Sequence, residues 1–222
     1  MHLQNTTADS INNIVFGDLL LDDQLKITCS DRIVAYFFAT GLINKFFKLK
    51  PPANSSQETI NELLFLERVT ANATEKQILF ATEAEINEKK CYSNFAKTYL
   101  GINVTTKDIE KIFDQTDPIL MLLKNHFNRP RPYQLAPQYN VHIKFKVPTE
   151  CFHPAYPSGH ALDSFIMNHV FKTLKPEKSS EIDYFCNEIA YSRFVAGVHY
   201  PSDNKISKLL ADAIITHNLL KF

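Results

Sequence analysis

The sequence predicts an all-α fold in one compact unit. Two pairs of residues, Ser55 with Glu58 and Thr74 with Gln77, have the spacing of a capping box at a helix start. Apolar side chains follow the first pair at helical spacing, namely Leu63, Leu64, Leu66 and Val69. Only five glycines stand among 222 residues, against seventeen phenylalanines and nine tyrosines. This composition favours regular, well-packed elements.

The N-terminal part of the chain ends at a proline pair. Ser30 or Asp31 has the chemistry of an N-cap and predicts a helix that continues to Phe47. Pro51-Pro52 then interrupts the chain. We therefore predict an N-terminal helical extension of unknown role at residues 1–50 and a main domain at residues 51–222. The alternative is that the proline pair is only a turn within one unit.

The later elements are predicted from proline and serine. Asp117-Pro118 indicates a helix start, because proline is favoured at the first helical position, and the RPRP segment at 129–132 ends that helix. Residues 133–156 form a predicted loop rich in proline and aromatic residues, in which residues 141–147 alternate weakly like a short strand. Further helices are predicted near Ser158, near Ser179 and from Ser202 to Leu220.

Charge and hydropathy exclude several classes of protein. Lys and Arg together number 24, as do Asp and Glu, so no overall positive charge would attract nucleic acid. The longest apolar stretch, residues 33–43, is far shorter than the roughly 20 residues that span a bilayer. The N-terminus has no basic-then-apolar signal segment. We expect a cytoplasmic protein with no nucleic-acid partner; a periplasmic or secreted location is the alternative if a leader has been removed.

Cysteine and histidine show no metal-binding pattern. The four cysteines form no CxxC pair, and free thiols are favoured over two disulfides; they are Cys29, Cys91, Cys151 and Cys186. Five histidines lack ligand spacing and are interpreted as surface or packed residues: His126, His142, His153, His169 and His217. We therefore expect no metal and no other cofactor.

Three segments combine residues that could perform chemistry: KNHFNRPRP at 124–132, PSGH at 157–160 and SRFVAGVHYPSD at 192–203. Taken singly, each has an ordinary structural explanation. The first is a group of solvated cations, the second a serine-capped helix start, and the third contains a packed histidine near a helix N-terminus. Together they supply cations, a glycine-bearing helix start and two histidines, which is the set of groups that phosphate chemistry needs.

Each group has a physical role in such chemistry. A phosphate dianion is bound best by several charge-assisted donors, and guanidinium groups match its oxygens. The N–H groups of a helix start add donors, and Gly159 lets the backbone approach closely. His199 could attack phosphorus if its other nitrogen is held by an acceptor, and Asp203, four residues later, can be that acceptor. His160 could protonate the leaving oxygen.

The three segments together resemble the type 2 phosphatidic acid phosphatase superfamily. That family has the signature K-x6-RP, then PSGH, then SR-x5-H-x3-D, and all eleven specified residues are present here in order. The signature spans about the last hundred residues. Upstream, PPANSSQETINELLFL is more weakly similar to soluble bacterial acid phosphatases of this superfamily. Asn204, Lys205 and Ser207 depart from the small or apolar residues that commonly follow the final aspartate.

The resemblance implies a helical bundle with a metal-independent phosphatase site between the ends of its core helices. His199 would be the nucleophile, Asp203 its partner and His160 the acid that releases the alcohol. The implied substrate-binding residues are Lys124, Arg131, Ser158, Gly159 and Arg193. Vanadate would bind there as a phosphate mimic. The expected partner is a small phosphorylated substrate, while peripheral lipid contact through residues 208–222 and a homo-oligomer stay open.

Two other functions compete with this one. A vanadium-dependent haloperoxidase uses the same anion pocket, and a non-catalytic phosphate-binding protein would retain the pocket without turnover. Arg129 lies outside the signature and either reaches the leaving group or faces solvent. The loop at 133–156 is expected to line the entrance, where its aromatic residues would favour a nucleotide, an aryl ester or a lipid.

Overall fold

A computed structural model describes residues 7–17 and 31–221 of the chain. These residues form helices joined by loops and contain no β-strand, which confirms the predicted all-α fold. The helices are α1 (Ala8–Asn12), α2 (Arg32–Ala39), α3 (Leu42–Lys48), α4 (Gln57–Asn72), α5 (Glu75–Phe95), α6 (Thr106–Phe127), α7 (Pro132–Leu135), α8 (Gly159–Leu174), α9 (Ser179–Val195) and α10 (Pro201–Thr216). Shorter turns are π-helical at Ala96–Leu100 and 3-10 at Ala136–Tyr139 and Pro176–Lys178.

No helix in this part of the chain has both the length and the apolar character that crossing a membrane requires. Cys91, Cys151 and Cys186 are free thiols, and Cys29 lies outside the described residues.

The predicted helix from Ser30 or Asp31 to Phe47 is in fact two helices. Ser30 lies outside the described residues, and Asp31 is the N-cap of α2. Gly41 has a φ of +69°, a left-handed conformation that glycine adopts without strain, and it separates α2 from α3. Buried side chains of both helices, such as Phe37 and Phe46, belong to the same core cluster as those of α6. The boundary at Pro51-Pro52 stays a prediction.

The capping signal of α5 was predicted correctly, and that of α4 was displaced by one residue. The capping box of Thr74 and Gln77 is confirmed at the start of α5. At α4 the predicted Ser55–Glu58 box is wrong by one residue: Ser56 is the N-cap, and its Oγ accepts a hydrogen bond from the Thr59 N–H at 3.2 Å. Neighbouring serines have the same capping chemistry, and the packing of the helix decides between them.

The predicted helix start at Asp117-Pro118 is wrong, because α6 begins twelve residues earlier, at Thr106. Thr105 caps α6, with a reciprocal hydrogen-bonded pair to Asp108, and Pro118 lies inside the helix. The burial of three large side chains on the first half of α6 offsets the one backbone hydrogen bond that an internal proline removes. They are Ile109, Ile112 and Phe113. The helix ends at Phe127, just before the RPRP segment, as predicted.

The weak strand pattern at residues 141–147 corresponds to an extended loop, so that prediction is also wrong. Its backbone bonds to side chains of α4 rather than to another strand. The N–H of His142 donates to Glu67 Oε1 at 2.8 Å, and the N–H of Lys144 donates to Thr70 Oγ1 at 3.0 Å. These helix side chains satisfy the loop backbone, and no pairing partner is required.

The helix α8 packs against both α9 and α10. Leu162 and Ile166 of α8 are fully buried with Ile189 of α9 and Leu210 of α10. The helix α10 ends at Thr216, somewhat before the predicted Leu220. This packing brings the N-terminus of α8, the C-terminus of α9 and the start of α10 to one end of the bundle.

Candidate active site

A cavity of about 550 Å³ opens at this end of the bundle. The ends of α6, α8 and α9 and the loops beside α7 and α10 surround it. Six of the predicted site residues line it: Lys124, Arg131, Gly159, His160, Arg193 and His199. The other two, Ser158 and Asp203, are fully buried behind this wall.

A tight turn after α9 brings Arg193 and His199 to the same cavity. Gly197 has a φ of +74°, and a Cβ atom there would lie 2.6 Å from the Cγ2 of Ile143. The N–H of Val198 then donates to the carbonyl of Arg193 at 3.2 Å and closes the turn. Only glycine meets both the conformational and the spatial requirement.

The hydrogen bonds of His199 assign its tautomer. The Nη1 of Arg131 lies 2.8 Å from His199 Nε2. Since a guanidinium only donates, Nε2 must hold a lone pair, and the ring proton must be on Nδ1. Nδ1 lies 3.0 Å from Asp203 Oδ2, to which it donates. Burial lowers the pKa of His199 well below its usual value, and the neighbouring Arg131 and Lys124 lower it further. The imidazole is therefore neutral, with a free electron pair at Nε2.

Asp203 accepts hydrogen bonds at both carboxylate oxygens. Besides His199, Oδ2 accepts from the backbone N–H of Tyr200 at 2.9 Å, and Oδ1 accepts from Arg129 Nη1 at 2.6 Å. Burial raises the pKa of Asp203 to about 6, and the guanidinium of Arg129 opposes that rise. Asp203 is thus ionised at neutral pH and can stabilise positive charge that develops on the His199 ring.

Backbone carbonyls hold two of the cations in place. Lys124 Nζ donates to the carbonyl of Pro154 at 2.7 Å. Arg131 donates through Nε to the carbonyl of His153 at 2.8 Å and through Nη1 to the carbonyl of Val198 at 2.9 Å. Burial, followed by repulsion from Arg131, lowers the pKa of Lys124 well below its usual value. The like charges are held close together at fixed positions, an arrangement that an anion would stabilise.

The third cation, Arg193, has unsatisfied hydrogen-bond donors. Its side chain is 4% exposed, and its Nη2 lies 2.5 Å from Glu85 Oε2 on α5. Its Nε and Nη1 find no acceptor within the described part of the chain. Burying such donors without an acceptor is costly, so they require an acceptor from the cavity, either water or a ligand. An oxyanion in the cavity would supply it.

His160 also lines the cavity, and its imidazole is neutral. Burial lowers its pKa well below the usual value, and Arg193 lowers it further. Its Nε2 lies 3.6 Å from Glu88 Oε2 and makes no hydrogen bond to any described residue. Burial raises the pKa of Glu88 to about 8. A bound dianion would offset the cations and raise the pKa of His160, which prepares it to carry a proton.

Ser158 stands at the N-cap of α8 rather than in the cavity wall. Its Oγ accepts from the N–H of Ala161 at 3.4 Å, and its own N–H donates to Ser207 Oγ at 2.9 Å. Ser207, which departs from the family pattern, therefore connects α10 to the start of α8. A role for Ser158 in binding substrate stays a prediction. Gly159 is the first residue of α8. At this end of a helix the backbone N–H groups have no partner within the helix and point outward.

Neither expectation for Arg129 is correct, since it reaches neither the cavity nor solvent. Its side chain is buried behind Asp203, with 1% exposure. His153, interpreted from the sequence as a surface or packed residue, lines the cavity, and no role was predicted for Glu85 or Glu88. A lone carboxylate on a helix has the pattern of a solvated surface residue, so the sequence contained no signal for them.

The loop that follows α7 supplies one side of the cavity, as expected. Four consecutive residues, 150–153, line it, and among them Phe152 is 71% exposed. In the parts of the chain that the structure describes, no group of three or more His, Cys, Asp or Glu side chains is arranged to hold a metal ion.

Part of the chain is similar to a known protein family. The family model described as the PAP2 superfamily matches residues 116–219, a segment that contains all the predicted site residues. Members of this superfamily are generally phosphatases that hydrolyse phosphoesters. A search of the curated proteins found no match. Residues 116–219 of this chain are thus similar in sequence to the PAP2 superfamily.

Proposed function

We propose that this protein hydrolyses phosphomonoesters without a metal ion, through a phosphohistidine formed on His199 Nε2. The supporting observation is the hydrogen bonding of His199. The Nδ1–H of His199 donates a hydrogen bond to Asp203, so the lone pair of Nε2 points toward Arg131 in a cavity lined by cations. A neutral, oriented imidazole beside an anion pocket is what nucleophilic attack on phosphorus requires.

The cations would bind the phosphoryl oxygens. Lys124, Arg131 and Arg193 provide charge-assisted donors, and the first turn of α8 at Gly159 adds backbone N–H groups. Arg131 Nη1 would transfer its hydrogen bond from His199 Nε2 to a phosphoryl oxygen when substrate enters. Binding then exposes the nucleophilic lone pair at the moment that phosphorus reaches it.

The reaction has two steps with balanced proton transfers. In the first, Nε2 forms a bond to phosphorus, the bond to the leaving oxygen breaks, and His160 donates a proton to that oxygen. Asp203 stabilises the positive charge that the His199 ring acquires. In the second, His160 removes a proton from water, whose oxygen attacks phosphorus. The bond from phosphorus to nitrogen breaks, its electron pair returns to Nε2, and inorganic phosphate leaves.

Hydrolysis of a chromogenic aryl phosphate in the presence of a chelator tests this proposal. We expect turnover to survive chelation and to be inhibited by orthovanadate. Rapid quenching with radiolabelled substrate should trap a protein adduct that is stable in base and labile in acid, as phosphohistidine is. Strict dependence on Mg²⁺ or Zn²⁺ would contradict the mechanism. Bromide oxidation after vanadate loading would favour the haloperoxidase, and tight phosphate binding without turnover would favour a binding protein.

Arg193→Ala is expected to weaken the binding of inorganic phosphate by about 30-fold or more, because buried charge-assisted contacts contribute at least about 2 kcal/mol. The measurement is the inhibition constant of phosphate, or calorimetry where turnover is lost. Arg68→Ala is the matched control, since Arg68 is exposed on α4. Unchanged phosphate affinity in a folded Arg193→Ala protein would mean that Arg193 serves only to pair with Glu85.

A further inference from the structure

Behind Asp203 lies a buried chain of charges that reaches a helix outside the matched family segment. Arg129, in the loop after α6, lies between two carboxylates. Its Nη1 is 2.6 Å from Asp203 Oδ1, and its Nη2 is 3.0 Å from Glu62 Oε2 on α4. All three side chains are less than a tenth exposed. Glu62 precedes the matched segment by more than fifty residues.

Ser202 connects Glu62 and Arg129 by further hydrogen bonds, so that the charged side chains form one network. Glu62 Oε1 accepts from the backbone N–H of Ser202 at 2.6 Å, and Oε2 accepts from its hydroxyl at 2.9 Å. Arg129 Nη1 donates to the same hydroxyl at 2.7 Å. Glu62 thus caps the first turn of α10, the turn that contains Asp203, and its negative charge lies at the favourable end of the helix dipole.

An aromatic ring fixes the plane of the guanidinium. The central carbon of Arg129 lies 3.8 Å from the centre of the Tyr200 ring, within the range of a cation–π interaction. Tyr200 also donates its backbone N–H to Asp203. The guanidinium is therefore constrained both in its plane and at its ends, as a group that orients a neighbour must be.

We propose that Glu62 and Arg129 are positioning residues for the reaction, which act through Asp203 to hold the His199 ring in its nucleophilic tautomer. This inference depends on the proposed function, because it gives the two residues a part in the attack by His199. It also extends the functional site to α4, beyond residues 116–219. The alternative is a buried ion pair that serves stability alone.

The charges around Asp203 predict that removing Arg129 and removing Glu62 change the pKa of Asp203 in opposite directions. The groups that face it from the surrounding elements are Glu62, Lys124, Arg129, Arg131, Tyr156, His199 and Tyr200. Among them, Arg129 lowers the pKa of Asp203 and Glu62 raises it. Removing Arg129 should therefore make Asp203 protonate at higher pH, and removing the charge of Glu62 should make it protonate at lower pH.

The test is the pH profile of kcat/KM for Arg129→Gln and Glu62→Gln. Asp203 must be ionised for attack, so we expect Arg129→Gln to move the acidic limb upward by about one to three pH units. Glu62→Gln should move that limb downward. Arg129→Lys keeps the charge and should restore the limb, although it cannot bridge both carboxylates and kcat should stay reduced. Phosphate affinity should change by less than about threefold in all three variants, because the anion-binding cations are intact.

Glu67→Gln is the matched control, with the same change on the same helix but at a residue that bonds the loop at His142. It should leave the pH profile unchanged. If Arg129→Gln and Glu62→Gln lower only the melting temperature and leave the acidic limb in place, the two residues are structural and the inference is wrong.

A second readout does not depend on turnover. The His199 Nδ1 proton, hydrogen bonded to Asp203, should give a low-field proton NMR signal that is identified by its loss in His199→Ala. Its pH midpoint should rise in Arg129→Gln and fall in Glu62→Gln. Absence of turnover in the wild type would refute the proposed function, yet these midpoints would still decide whether the network controls Asp203. Unshifted midpoints in folded variants would refute the network.

Discussion

His199→Ala is expected to lower kcat by about 10⁶-fold, to the level at which hydrolysis is no longer measurable, because it removes the nitrogen that we propose as the nucleophile. No other described nitrogen has a lone pair fixed by a carboxylate at the cavity wall. Phosphate should still bind, since Lys124, Arg131 and Arg193 are intact. The measurement is steady-state aryl phosphate hydrolysis together with phosphate binding by calorimetry.

The matched control for this prediction is His142→Ala, which removes an exposed histidine from the loop beside α4. It should retain wild-type kcat. Residual turnover above about one per cent in a folded His199→Ala protein would exceed what the remaining groups can supply. That result would show that water, or a nucleophile other than His199, attacks phosphorus directly.

Asp203→Asn is expected to lower kcat by about 10⁴-fold, the size of effect seen when an oriented catalytic histidine loses its carboxylate partner. The amide fits the site in two orientations, and both fail. If its NH₂ faces His199, the ring proton must move to Nε2 and the nucleophilic lone pair is lost. If its oxygen faces His199, the NH₂ opposes the Arg129 donor, and the buried site contains two donors without an acceptor.

The measurement for Asp203→Asn is a comparison of kcat with the phosphate inhibition constant. We expect the inhibition constant to stay within a few fold of the wild-type value, because Asp203 does not line the cavity. A matched control is Asp212→Asn, on the exposed face of α10, which should change neither constant. A loss of phosphate affinity as large as the loss of kcat would show that Asp203 mainly supports the structure of the site.

The fold class and the contact of His199 with Asp203 could both be predicted because they depend on local sequence. A capping box such as Thr74 with Gln77 satisfies its own hydrogen bonds within one turn, and the structure contains it as predicted. His199 and Asp203 are four residues apart at a helix start, a spacing that allows the carboxylate to turn back to the ring. Such short-range geometry is encoded in residue order alone.

The wrong secondary-structure predictions lie where contacts between distant segments, rather than the local sequence, decide the structure. Pro118 has the local pattern of a helix start, yet it lies inside α6 because apolar residues before it are buried against other helices. Residues 141–147 alternate like a strand, but polar side chains of α4 bind their backbone. In both places a contact with a distant segment outweighs the local preference.

By itself, the sequence determined that this is an all-α protein that carries three cations and an Asp-oriented histidine in short motifs. Motif spacing specifies which groups are present and which near neighbours they reach. Only the tertiary structure decided what surrounds them. It placed Arg129 in the interior between Glu62 and Asp203, and it joined Glu85 to Arg193 across two helices. The burial of a charge and its partner depend on how helices pack, which is a property of distances between segments far apart in the chain.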